Sequence, residues 1–272
     1  MKAMIFAAGL GTRLKPLTDT LPKALVPLAG KTLLQWQIEK LKAAGITDIV
    51  VNVHHFADKT IEYLRQNNNF GCNIIVSDER DILLETGGGL RKALPLITSS
   101  STSLPPQGEA EETPILACNV DILSNIDIPT LLQAYNPNEM GMVVVTPRQT
   151  QRYLLFDNTF RLRGWTNITT GELRPTSLQS AEYQANPNFT TLKDTLQLSP
   201  LAFSGMQILN PRIFRHMNEL AKQKGDKFSL IDLYVHIAEK EVLRAFIPEN
   251  YRMMDVGKIS QLSEAETFAL SL

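Results

Sequence analysis

The chain has 272 residues, 27 of them basic and 28 acidic, for a formal net charge of −1. Near-neutrality excludes a sequence-independent nucleic-acid binder, which needs a basic surplus, and no apolar run approaches the roughly 20 residues that span a bilayer. At 43% hydrophobic and 20% charged, the composition is globular, and the length corresponds to about 1.8 average domains.

Lys2–Ala7 reads as a short apolar strand that runs into a glycine-containing loop. The segment lacks a small-x-small cleavage site, so no secretory leader is expected and the predicted compartment is the cytoplasm. Thr32–Ala44 carries Leu33, Leu34, Ile38 and Leu41 at helical spacing, and Gly45 stops it. A strand at Asp48–Val53, a helix at Ala57–Gln66, a strand at Asn73–Ser77, a helix at Gly88–Leu94 and a strand at Pro114–Cys118 follow. This alternation predicts an α/β fold with a mostly parallel sheet and helices on both faces. Residues 99–113, rich in Ser, Pro and Glu, predict a polar surface loop.

The second half is richer in strands, at Met142–Thr146, Tyr153–Phe156, Leu201–Leu209 and Leu243–Ile247. Helices are expected at Ser229–Lys240 and from Lys258 to about Leu270. The polar stretch Thr166–Ser199 reads as a hairpin insertion or a lid. Cys72 and Cys118 have no metal-ligand spacing and read as reduced core thiols. Trp36 reads as core and the pair His54-His55 as packing. Asp78, Glu79 and Asp81 around Arg80 read as a solvated patch.

In an open parallel sheet, ligands bind at the carboxyl ends of the strands. The first strand ends in Ala7-Ala8-Gly9-Leu10-Gly11-Thr12-Arg13, where glycines allow close backbone approach to a phosphate and Arg13 adds a cation. A dinucleotide fingerprint would need Gly at the position of Leu14, and a Walker A loop would need Gly at Leu25. Both are excluded.

The run Ala7–Thr18, followed by Leu21-Pro22-Lys23-Ala24-Leu25-Val26-Pro27, closely resembles the signature of sugar-1-phosphate nucleotidylyltransferases. Glu85-Thr86-Gly87-Gly88-Gly89 resembles the base-recognising loop of that family. Asn119-Val120-Asp121 resembles its Asn-Gly-Asp, Phe203-Ser204-Gly205 its sugar-side strand, and Asp255-Val256-Gly257 its late Asp-x-Gly. Within the family, Leu84–Gly89 and the short length look most like the N-acetylmuramic acid α-1-phosphate uridylyltransferases, while heptose and mannose guanylyltransferases share much of the pattern.

The resemblance implies a Rossmann-like three-layer sandwich, the nucleotide-diphospho-sugar transferase fold, as one domain over residues 1–272. Its nucleotide part would cover about 1–125, a smaller sugar-binding β subregion about 126–257, and a C-terminal helix 258–272. It implies transfer of a nucleotidyl group from an NTP to a sugar 1-phosphate, with UTP and N-acetylmuramate α-1-phosphate favoured. Guanylyl or thymidylyl transfer to another sugar, or a silent nucleotide-sugar-binding subunit, are the alternatives. No nucleic acid or membrane partner is expected, and the assembly would be a monomer or small homo-oligomer.

Joining two anions with loss of pyrophosphate needs cations and dipoles more than an acid or base. Arg13 is expected to hold the triphosphate and Lys23 to bridge the sugar phosphate and the α-phosphate. Asp121 and Asp255 are expected to hold Mg²⁺ as hard oxygen ligands. Nucleotide contacts are expected from Ala7, Ala8, Gly9, Gly11, Thr12, Arg13, Glu85, Gly87, Gly88 and Asn119, and sugar-phosphate contacts from Lys23, Ser204 and Gly205. Three positions depart from the family pattern: Val120 for Gly, Met253 for Trp and Lys258 for Thr.

Overall fold

The computed structural model describes residues 1–98, 113–185 and 187–272. Most of the expected polar loop at 99–113 therefore lies outside the described residues. The first half contains β1 (Lys2–Phe6), the two-residue strands β2 (Pro27–Leu28) and β3 (Lys31–Thr32), α1 (Leu33–Ala43), β4 (Asp48–Val53) and α2 (Ala57–Gln66). It continues with β5 (Asn73–Asp78), α3 (Glu85–Thr98), β6 (Ile115–Asn119), β7 (Ile122–Ser124) and α4 (Ile128–Ala134).

The second half adds β8 (Gly141–Thr146), β9 (Arg152–Phe156), β10 (Leu162–Asn167), β11 (Glu172–Arg174), α5 (Ala181–Ala185) and α6 (Phe189–Asp194). It closes with β12 (Ser199–Leu209), α7 (Ile213–Lys224), α8 (Leu230–Ile237), β13 (Leu243–Phe246), β14 (Met253–Asp255) and α9 (Leu262–Leu270).

One mixed sheet runs β11-β10-β9-β12-β6-β1-β4-β5, with β8 on β12 and β13 on β8. The β6-β1-β4-β5 part is parallel throughout. β12 enters antiparallel to β6 and forks, pairing with β8 along residues 202–209 and with β9 along residues 199–201.

Strand alternation feeds two cores. Along β1, Ala3 and Ile5 face one core, roofed by Leu34 and Ile38 of α1, Leu131 of α4 and Ala265 of α9. Met4 and Phe6 face the other, roofed by Leu90 and Leu94 of α3, Met217 of α7 and Leu233 of α8. This gives the expected three layers. The first core also takes Met206, Ile208 and Val256 from the second half, so both halves of the chain share it.

The stretch Thr166–Ser199 holds the end of β10, all of β11, and then α5 and α6, which with β9 share a small core of Leu155, Leu173, Tyr183, Leu192 and Leu198. The helix expected from Gly88 begins three residues earlier, at Glu85. α7 was not expected, although Ile213, Met217 and Leu220 stand at helical spacing and are all buried. Cys72 and Cys118 are free and buried, and burial pushes the Cys118 thiol up to about 12.

Candidate active site

A cavity of about 490 Å³ opens at the carboxyl ends of β1, β4 and β6. Phe6, Ala8, Gly9, Gly11, Thr12, Arg13, Lys23, Glu85, Thr86, Asn119, Val120, Asp121 and Gly257 are among its walls.

The loop after β1 shows what each glycine is for. Gly11 has φ +65°, and a Cβ there would stand 2.9 Å from both Lys23 Cβ and Thr18 Cγ2. Gly11 is therefore needed for backbone conformation and for packing the Lys23 stem. Among the described residues, nothing stands within 4 Å of such a Cβ at Gly9, so its space is open to the cavity. Ala7 differs from the expectation. Its N–H donates to Asn52 Oδ1 at 2.7 Å, and it lies behind the wall rather than on it.

Asn52 belongs to a buried relay that sequence reasoning missed. Its Oδ1 also accepts from Ala8 N–H at 3.3 Å, and its Nδ2 donates to Glu79 Oε1 at 2.7 Å. Glu79 Oε2 in turn accepts from Leu84 N–H at 3.4 Å. Glu79 is fully buried, and burial pushes its pKa up, against the opposing hydrogen bond from Asn52. It is not part of a solvated patch. That patch is Arg80 with Asp78 and Asp58, all exposed or half-exposed. The signal available in the sequence was Asn52, a polar residue inside the apolar run of β4.

The Gly87 and Gly88 N–H groups do not point to a bound base. Both donate to the Phe228 carbonyl at 3.0 Å. A Cβ on Gly88 would lie 2.1 Å from Asp226 O, and one on Gly87 2.5 Å from the Phe228 ring. These glycines exist to let the segment between α7 and α8 press on the start of α3. Leu230 N–H seals the contact by donating to Thr86 Oγ1 at 3.0 Å. Leu83, Glu85 and Thr86 form the cavity wall here, and Glu85 holds a left-handed φ of 62°.

Lys23 is buried and paired with Asp121. Asp255 reaches the same place through a short antiparallel ribbon, in which β14 pairs with β7 and Asp255 is opposite Ile122. Gly257 lies between the charged groups, since a Cβ there would be 2.8 Å from Asp255 Oδ1 and 2.9 Å from Arg13 Nη2. Asp255 Oδ1 is buried with no hydrogen-bond partner among the described residues. Burial and then the Asp121 charge push the Asp255 carboxyl up, while Lys23, Arg13 and Arg148 pull it down. Two adjacent carboxylates, one with an unsatisfied buried oxygen, are a donor set that suits a hard divalent cation.

Ser204 and Gly205 are not on the cavity wall. Gly205, at φ +76°, forms the bulge of β12, and a Cβ there would lie 2.6 Å from Ile122 Cγ1. It supports the strand next to Asp121. Ser204 is buried. Val120 continues the β6–β1 ladder by donating to Phe6 O at 3.2 Å, and its side chain is buried in the first core. Arg148, also missed in the sequence, follows β8 and donates to Phe203 O at 3.1 Å.

Residues 2–153 match the nucleotidyl transferase family. The chain is 30% identical over 257 residues to the N-acetylmuramate alpha-1-phosphate uridylyltransferase of Caulobacter vibrioides, covering 92% of this chain and 90% of that one. It is 42% identical over 134 residues to the enzyme of the same name from Neisseria meningitidis serogroup B, covering 49% of this chain and 52% of that one. Its fold matches that of apo UDP-glucose pyrophosphorylase with TM-score 0.70 at 17% identity, over 100% of this chain and 98% of that one. The chain belongs to the nucleotidyl transferase family and is a sugar-1-phosphate nucleotidyltransferase.

Proposed function

We propose that the protein transfers the uridylyl group of UTP to N-acetylmuramate α-1-phosphate with Mg²⁺, as a cytoplasmic step in cell-wall sugar recycling. The observation that carries the chemistry is the convergence of Arg13, Lys23 and Asp121 on one cavity, with Asp255 just behind its Gly257 wall and within reach of their charges. The full-length similarity to the Caulobacter enzyme supports the substrate pair.

A phosphate oxygen of the sugar 1-phosphate attacks the α-phosphorus, and the bond from that phosphorus to pyrophosphate breaks. The Gly9–Thr12 loop takes the triphosphate against its backbone, and Arg13 meets the charge that grows on the departing pyrophosphate. Lys23 neutralises the attacking phosphate so that two anions can come together. Asp121 and Asp255 would hold Mg²⁺, which supplies charge neutralisation at the α-phosphate when bound. Leu83, Glu85 and Thr86 form the wall available to the base, and Arg148 is an exposed cation on the sugar side. N-acetylmuramate carries a carboxylate that such a cation suits.

The test is pyrophosphate release with each of four NTPs against a panel of sugar 1-phosphates. UTP with N-acetylmuramate 1-phosphate should give the highest kcat/KM. A tenfold preference for any other pair would replace the substrate assignment, and no turnover with any pair would sink the activity.

A further inference from the structure

α7 and α8 bring together His216, Glu219 and His236, none of which lines the cavity. We propose that these three side chains form a second divalent-cation site, specific for Zn²⁺-class ions and distinct from the aspartate pair.

The geometry makes the case. His216 and Glu219 are three residues apart on α7 and therefore share one helix face, while His236 comes from α8. His216 Nδ1 stands 3.4 Å from Glu219 Oε2, and His236 Nε2 stands 3.4 Å from that same oxygen. These separations are long for hydrogen bonds, whose usual range ends at about 3.2 Å. They match the edge of a tetrahedron around zinc, roughly 3.3 Å for bonds of about 2.0–2.1 Å. All three donor atoms lie within 4.8 Å of one another, and a water would take the fourth position.

The surroundings are built for a ligand histidine. His216 is buried at 5% exposure, and its Nε2 meets Glu241 Oε1 at 2.8 Å. A carboxylate on the far ring nitrogen turns the other nitrogen's lone pair toward the ion and fixes the ring. Arg215 Nε–H also points at His216 Nε2, at 3.2 Å, but the shorter contact of that nitrogen is with Glu241, with which Arg215 pairs as well, so the tautomer that leaves Nδ1 to the ion has Arg215 bonded to Glu241 alone. The Lys240 ammonium stands at the mouth, 3.4 Å from His236 Nε2 and 4.0 Å from Glu219 Oε2. Its side chain is half exposed, so it can rotate away on its stem when an ion enters.

Two imidazoles and one carboxylate favour Zn²⁺, Co²⁺ or Ni²⁺ over Mg²⁺, whereas the Asp121–Asp255 pair offers only oxygen. The ion would clamp α7 to α8, whose connecting segment holds Gly87 and Gly88 in place.

The experiment is Co²⁺ titration of the chelator-stripped full-length protein in excess Mg²⁺, which saturates the all-oxygen site. One equivalent of Co²⁺ should give the intense visible bands of tetrahedral coordination, and Zn²⁺ should abolish them. His236→Gln and Glu219→Gln should each weaken binding at least tenfold, with folding checked by circular dichroism. Lys240→Ala should tighten it, because a competing cation is gone. The proposal fails if no tetrahedral bands form. It also fails if the bands survive both His236→Gln and Glu219→Gln, which would mark adventitious binding at other histidines, or if excess Mg²⁺ displaces the ion.

Discussion

The Val256 N–H donates to the Asp121 carbonyl at 2.8 Å. This bond closes the β7–β14 ribbon and sets Asp255 beside Asp121, although the two are far apart in the sequence. Burial, and after it the repulsion of the neighbouring Asp121 carboxylate, raise the pKa of Asp255.

Asp255→Asn should therefore separate stability from activity. A folded-state pKa above the unfolded value means the ionised group destabilises the fold at neutral pH, and stability rises as pH falls toward that pKa. The substitution removes the buried charge and, with it, the repulsion, so the metal-free Tm should rise. Activity should fall by about 10²–10³-fold, and the Mg²⁺-induced increase in Tm should vanish. Calorimetric scans with and without Mg²⁺, alongside pyrophosphate release, read all three.

The glycines of the two loops should respond oppositely to alanine. Gly88→Ala forces a Cβ against the Asp226 carbonyl and should cost about 1–3 kcal/mol in urea unfolding. Gly9→Ala meets open space, so stability should change by no more than about 0.5 kcal/mol while the KM for the NTP rises.

Asn52→Ala should act on both. It strips the Ala7 N–H and Glu79 of their buried partner, at a cost of about 1–3 kcal/mol for each group left unsatisfied. The β1 loop and the Leu84 segment lose their common brace, so the NTP KM should rise even at temperatures where the variant is folded. Asn52→Asp, which sets a second carboxylate against Glu79, should be worse than Asn52→Ala at pH 8 and recover toward pH 5.

Acid stability should depend on Asp232. Burial alone would raise its pKa, but Lys224 and Ser229 outweigh it and hold the carboxyl at about 2. Asp232 also closes the capping box at the start of α8 and pairs with Arg174. A folded-state pKa below the unfolded value of about 3.9 gives stability that is complete above that value and lost as pH falls through 2. Unfolding free energies measured from pH 5 to pH 2 should fall less steeply in Asp232→Asn, and that variant should be weaker at pH 7.

The parallel half was legible because local rules decide it: the apolar strands β1, β4 and β6 alternate with helices ended by recognisable stops. That Arg13, Lys23, Asp121 and Asp255 come together was legible because their motifs stand beside strand ends. The roles of Gly87 and Gly88 were not. Their partner, Phe228, is remote in sequence, and a free helix N-terminus looks the same as one already bonded to distant backbone. Glu79 was misread for the same reason, since its neighbours Asp78, Arg80 and Asp81 are exposed and only the fold shows that Glu79 turns inward. β10, with Gly164 and polar residues in its run, hid because its pattern comes from cross-strand neighbours.

The seating of Phe228 on the start of α3 also sets an order of assembly. A ribosome delivers β1, β4, β5 and α3 long before Phe228, and Asp255 later still. The emerging chain can stack its first parallel strands, but its cavity has neither a fixed wall at Glu85 nor the Asp255 carboxylate until residue 255 is out. A fragment that stops at residue 153 is therefore expected to bind neither substrate, even where its parallel strands are folded.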